Sequence, residues 1–416
     1  MENNVNMKIN PLPALTWNRL KMNEGAVEVI KAQTGADIVM SKLPTGVSLT
    51  KLPRTESNGQ DAQRESRIEQ DCGCEDGLPG NVRAKSNPQQ IETGMDTSPI
   101  NGHQMEPGAD IGFAAWQQVE SGMGADFDRY MADSSLALLE TAADSHIEKP
   151  IIITLEYQEN MAAADRIYLH VVPKSSLSVI FVLKSAQKVQ ASLQIKTIAE
   201  PEAQVELYVI QLTGGDSTVL TDVSSLCEEK ASVSLTKLEL GGGIQYAGVC
   251  TTLKGNKSQF YAEAGYRVRG EQHLDMNYLV RHVGRKTTSE MNASGVLEEG
   301  AFKLFRGTID FPRGCAGAKG NEKEDILLLG ERQVNQTIPL ILCKEEDVEG
   351  NHGATIGRLP EQVLFYLGTR GISADAAEDL IASAKLEAVC ARIPDEKVKQ
   401  TVRAFLCAMS RERLCG

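Results

Sequence analysis

From Pro150 to about residue 345 the chain is a succession of strand-sized segments with no helix-length stretch between them. IIITLEY, RIYLHVV, LSVIFVLKS, ASLQIKTI, AQVELYVIQL, ASVSLTKLEL and FYAEAGYRV are dominated by Val, Ile, Thr and Tyr. Such side chains fit a pleated surface. Polar or glycine-containing turns separate them, for example TGGD at 213–216 and GGG at 241–243. Many short strands without helices mean a sandwich, a barrel or a β-solenoid. No crisp repeat motif singles out the solenoid, so periodicity leaves all three open. Aromatic residues make up only 5% of the chain, so the core must rely on Val, Ile, Leu and Ala. That favours regular stacked strands over a few large aromatic anchors.

The flanks read differently. INPLPALTWNRLKMNEGAVEV carries Leu15, Trp17, Leu20 and Met22 in a short amphipathic stretch, a helix or hook packing on the body or a tag for a partner. Residues 52–110 are rich in Gly, Pro, Ser, Gln and acidic residues, with almost no apolar periodicity. Such a segment cannot bury enough surface to offset its ordering entropy and reads as a linker. Apolar spacing of mixed helical interval returns over 111–146. After Ile356 the pattern is helical: RLPEQVLFYLGTRGI, entered at Pro360 and ended near Gly371, then a helix capped by Ser373, then a third from PDEKVK onward. The expected organisation is a helical N-terminal region (1–149) containing the linker, a β body (150–350) and a helical C-terminal domain (351–416).

A net charge of −13 argues against nucleic acid and against an anionic membrane surface as partners. The N-terminal MENNVNMKIN has no apolar core of signal-peptide length and no later stretch approaches the length of a spanning helix, so a cytoplasmic location is expected. Nine scattered cysteines, an odd number, read as reduced thiols rather than a disulfide framework. Neither G-x-x-x-x-G-K-[ST] nor a strand-linked G-x-G-x-x-G is present, so no nucleotide site is expected.

Three pieces stand in order near the C-terminus. They are QHLDMNYLVRHVGRKTTSEMNASGVLEEGAFKLFRGTIDF (272–311), NEKEDILLLGERQVNQTIPLILCKEEDV (321–348) and NHGATIGRLPEQVLFYLGTRGI (351–372). The first carries Asp275, His282, Thr288, Ser289, Gly295, Phe305, Gly307 and Ile309. Together they resemble the C-terminal core of the SufB/SufD family of iron–sulfur cluster assembly scaffolds. That resemblance implies a mainly β fold, a right-handed parallel β-helix between helical flanks. It also implies a non-enzymatic scaffold subunit that pairs with a SufB-like chain and docks a SufC-like ABC ATPase through its C-terminal helices. The cargo would be iron or a transient iron–sulfur cluster shared with the partner subunit. SufB-like chains carry a cysteine where Glu324 stands, and an acidic residue where Gly353 follows His352, so the sequence looks SufD-like.

By the same resemblance His352 is the candidate iron or cluster ligand at the subunit interface, the competing role being a hydrogen-bonding histidine at the strand-to-helix junction. Glu324 and Cys315 are weaker metal candidates. The acidic run Glu322, Glu324 and Asp325 reads first as a solvated turn, Cys315 as an exposed loop thiol, and Cys343 as a small buried hydrophobe. His282 is expected to pack or hydrogen-bond within a coil turn. Cys72-Gly73-Cys74 has no second cysteine pair and reads as incidental. Two other functions compete: a self-sufficient homodimeric SufB-type scaffold, and a β-helix carbohydrate-active enzyme, which the scarcity of aromatics disfavours.

Overall fold

The computed structural model describes residues 4–14, 22–32, 34–52, 69–70, 113–185 and 188–415. Its N-terminal elements are β1 (Asn4–Ile9), β2 (Gly25–Ile30), β3 (Asp37–Met40), β4 (Val47–Leu52), β5 (Glu69–Gln70), α1 (Phe113–Trp116) and α2 (Ala125–Met131). Sixteen β elements then alternate between two sheets. β6 (Ser135–Thr141), β8 (Ala162–Val171), β10 (Gln190–Ala199), β12 (Thr218–Cys227), β14 (Ile244–Leu253), β16 (His273–His282), β18 (Phe302–Phe311) and β20 (Val334–Cys343) form the first. β7 (Ile151–Glu156), β9 (Ser176–Lys184), β11 (Gln204–Thr213), β13 (Ser232–Gly241), β15 (Gln259–Val268), β17 (Thr288–Leu297), β19 (Ala318–Leu328) and β21 (Val348–Gly357) form the second. Each strand pairs in parallel with the strand two places further along, giving a parallel β-solenoid of about eight turns.

Register partners lie 28 residues apart between Ala162 and Gln190, 26 between Thr218 and Ile244, and 32 between Phe302 and Val334. What repeats is side-chain direction and corner conformation, not residue identity. Lys174, Glu202, Lys230, Lys257 and Lys286 all take the left-handed conformation at one corner of successive coils. The amide of each donates to the next coil, as Glu202 does to Glu229 (2.8 Å) and Lys257 to Arg285 (2.8 Å). The residue after each is small and buried: Ser175, Ala203, Ala231, Ser258 and Thr287.

Both faces of these strands are covered, which is why they read as nearly continuous apolar runs. Inward positions such as Val179, Phe181, Leu207, Val209, Val233 and Leu235 fill the solenoid. On the second sheet the outward Ile180, Val182, Ile210, Leu212, Leu238 and Leu240 are covered by α4 (Ala374–Cys390) and α5 (Glu396–Cys415). Arg267, fully buried, fastens that layer by donating to Glu298 (2.6 Å), to Asp379 of α4 (3.0 Å) and to Ser410 of α5 (3.1 Å). On the first sheet β1, β2 and α2 cover Ala164, Leu220 and Tyr246, while Trp116 of α1 lies on Tyr168.

The expected boundaries need correction. Among the described residues the first part of the N-terminal region is strand rather than helix, because NVNMKI and GAVEVI alternate apolar and polar residues with period two and pair antiparallel. Of the amphipathic stretch, only Met22 among its marked apolar residues lies within the described residues, and it is buried; Leu15, Trp17 and Leu20 lie outside them. Apart from Leu52 and Glu69–Gln70, the expected linker, with Cys72 and Cys74, also lies outside them. The β body runs from Ser135 to Gly357, beyond both of its expected limits. Of the C-terminal helices, α4 and α5 form a layer on the second sheet rather than a separate domain. Their caps follow the sequence: α3 (Glu361–Thr369) starts after Pro360, and Ser373 accepts from Ala376 N (3.3 Å).

Asp222 shows how tightly the N-terminal layer is applied. It is fully buried and accepts from Met123 N (3.2 Å). Burial, then the neighbouring Asp128, push its carboxyl up to about 6. Because the folded-state value is raised, this group's contribution is most favourable below about pH 4 and is lost as pH rises through 6. Asp222→Asn keeps the acceptor and removes the charge. Its stability relative to wild type should improve by on the order of 1–3 kcal/mol between pH 4 and pH 8, read from urea denaturation midpoints. A difference independent of pH would contradict this placement.

Candidate functional site

The two ends of the solenoid differ. At the N-terminal end β4 and β3 run antiparallel to β6 and β7, so the parallel stacking stops there. At the C-terminal end β20 and β21 are the last strands of their sheets. β21 is exposed along nearly its whole length, and Val334 and Ile356 stand uncovered. Inward side chains of this last coil therefore face solvent instead of another coil.

The columns leading to this end are set by register. Lys303, Phe305, Gly307, Ile309 and Phe311 of β18 carry Asn335, Thr337, Pro339, Ile341 and Cys343 above them. On the second sheet Glu322, Glu324 and Ile326 carry His352, Ala354 and Ile356. Strand alternation turns Glu322 and Glu324 inward, Lys323 outward, and Asp325 toward Lys385 of α4. The acidic run is thus not a solvated turn: it lies in a strand, with Glu322 4% and Glu324 0% exposed.

Glu324 is fully engaged. It forms an ion pair with Lys303 and accepts from Tyr266 Oη (3.0 Å) and Thr337 Oγ1 (2.7 Å). Lys303 also donates to Asn335 Oδ1 and Thr337 Oγ1, both at 3.0 Å. Burial lowers the Lys303 ammonium to about 8, against the pull of Glu324. Glu322 is built in differently. Gly307 makes room for it, since a Cβ there would lie 2.7 Å from its carboxyl carbon. Burial and the adjacent Glu324 push its carboxyl up to about 8.

His352 lies within β21, not at the strand-to-helix junction, and is exposed. Cys315 is not an exposed loop thiol. It follows Gly314 (φ 103°) in the turn between β18 and β19 and is buried there, and burial raises its thiol to about 11. Such a thiol is a poor thiolate donor at neutral pH. Cys343, expected inside, is exposed because no coil lies above β20; its Sγ donates to Glu345 O (3.1 Å). Cys250 is buried, and burial raises it to about 12. His282 sits at a coil corner, its ring bonded to Thr287 Oγ1 (2.7 Å) and Ser289 Oγ (2.9 Å), and burial lowers it to about 4. Among the described residues no three His, Cys, Asp or Glu side chains converge as a metal site. The structure thus brings His352 and Glu322 into one column, spends Glu324 internally and sets Cys315 aside.

Beside this end, α3 has no buried residue and displays Val363, Phe365 and Tyr366, with Phe365 76% exposed. The motif positions expected to carry family character turn out to shape the coils: Asp275 pairs with Arg306, and Gly295 lies against the Tyr266 ring.

The family described as "SUF system FeS cluster assembly, SufBD core domain" matches residues 153–385, more than half of the chain. The chain belongs to the SufBD family. It is similar to the iron-sulfur cluster assembly protein SufD of Bacillus subtilis (strain 168), 28% identical over 172 residues, which cover 40% of this chain and 39% of SufD. SufB of the same bacterium is 25% identical over 172 residues, 41% of this chain and 37% of SufB. The SufBD family protein ycf24 of Galdieria sulphuraria is 27% identical over 185 residues, covering 44% and 83% of the two chains. The match spans well under two thirds of the SufD and SufB chains.

The ion pair gives a direct test. Removing one member of a buried pair strands the other charge, at a cost of about 3–5 kcal/mol. Glu324→Cys should therefore destabilise the protein by about that much. Adding Lys303→Met should restore most of the loss in a double-mutant cycle of chemical denaturation. An unchanged midpoint for Glu324→Cys alone would exclude a buried pair at this position.

Proposed function

We propose that this SufBD protein is a SufD-like, non-enzymatic scaffold subunit of the SUF machinery. In this role it pairs with a SufB-like chain through the open end of the solenoid and supports iron entry and cluster assembly there. The observation that carries the reading is the solenoid end itself. Two unpaired strand edges and an exposed His352 face outward, while the position of the SufB-type cysteine is filled by a carboxylate consumed in an internal pair.

An imidazole supplies one position for iron, and thiolate or carboxylate from the partner can supply the rest. Unpaired strand edges suit addition of strands from a second chain. ATP hydrolysis belongs to a SufC-like ABC ATPase, for which the exposed aromatic face of α3 is the proposed docking surface. The cytoplasm is the proposed site of assembly, and no resident nucleotide is part of this scheme.

Deleting the helices beyond α3 would not test docking cleanly, because α4 and α5 cover the apolar face of the second sheet. Phe365→Ala with Tyr366→Ala leaves that layer in place. Co-expressed with SufB-like and SufC-like subunits, the double variant should retain the SufB-like chain and lose most of the ATPase. Interface hot spots of this kind are worth about 2 kcal/mol or more each. In the assembled complex, His352→Ala should lower iron content without changing subunit composition. A stable, stoichiometric iron–sulfur chromophore on the chain purified alone would contradict the SufD-like role.

A further inference from the structure

A carboxylate buried without a partner is costly unless something charged reaches it. Glu322 is 4% exposed, and among the described residues no hydrogen bond or ion pair engages it. The one cation nearby, Lys303, is committed to Glu324, Asn335 and Thr337. Below Glu322 in its column lies the apolar Met291, and across from it the space is kept open by Gly307. Above it the column ends at His352, the last inward position before solvent. Approach from the open end leads past the imidazole to the carboxylate.

We propose that Glu322 is a second protein ligand, beside His352, for a divalent transition-metal ion entering the open end of the solenoid. This rests on the functional reading above and deepens it by assigning this chain two of the donors. Imidazole and carboxylate together suit ferrous iron and its divalent neighbours, and adjacent strands hold the two residues as register partners. Water or a partner subunit completes the coordination.

Cobalt(II) is the probe, titrated anaerobically into the full chain and followed by visible absorption and by thermal unfolding. Wild type should bind it and gain thermal stability. Glu322→Gln, which keeps the shape of the side chain, and His352→Ala should each weaken binding by roughly ten-fold or more. Glu349→Gln should behave as wild type, since Glu349 is exposed on β21 and engages surface Lys319 and Asn351. Wild-type affinity in Glu322→Gln, or no cobalt binding by wild type, would overturn the assignment. Co-purification of each variant with the SufB-like subunit separates the two ideas. Lost cobalt sensitivity with intact pairing would remove only the role of Glu322, whereas failure of wild type to pair would remove the functional reading.

Discussion

Register is the constraint on which this molecule depends. Because each strand stacks in parallel on the one two places before it, every inward residue needs a compatible neighbour one coil above and one below. Aliphatic columns satisfy this through most of the solenoid. Where polar residues enter, they do so in sets, as Lys237 with Glu239, and Lys303 with Glu324, Tyr266 and Thr337. Such a set is stable only when complete.

Closure of one end and openness of the other follow from the same constraint. Antiparallel β3 and β4 interrupt the stacking at the N-terminal end, and nothing in the described chain does so beyond β20 and β21. In the proposed function the open end is where two related subunits meet. The charge layer just beneath it is partly paired and partly not: Lys303 pairs with Glu324, while Glu322 has no such partner among the described residues. The outer faces are already occupied, by β1, β2, α1 and α2 on one side and by α4 and α5 on the other.

Much of this was legible in the sequence, and the gaps have physical causes. The strand body was readable because strands buried on both faces are apolar throughout, and the C-terminal helices because Pro360, Ser373 and Gly371 mark their ends. The solenoid repeat was hidden, since coils of 26 to 32 residues share a left-handed corner occupied by Lys, Glu or Gly, with no fixed residue motif. Cys315 and Cys343 exchanged their expected environments: one is buried in the turn after Gly314, the other lies in a strand with no coil above it. Glu322 and Glu324 look like a surface turn in the sequence because four successive charged residues mask strand alternation. Reading EKED with period two would have turned both glutamates inward.

The central claim is that the open end of the solenoid is the face that meets a partner. Hydrogen–deuterium exchange, compared between the chain alone and the chain with its SufB-like subunit, tests it most directly. Amides on the free edges of β20 and β21 should exchange rapidly in the isolated chain and become strongly protected in the complex, while β10 to β15 stay protected in both. New protection confined to β1, β2 and α2, with β20 and β21 unchanged, would contradict the account.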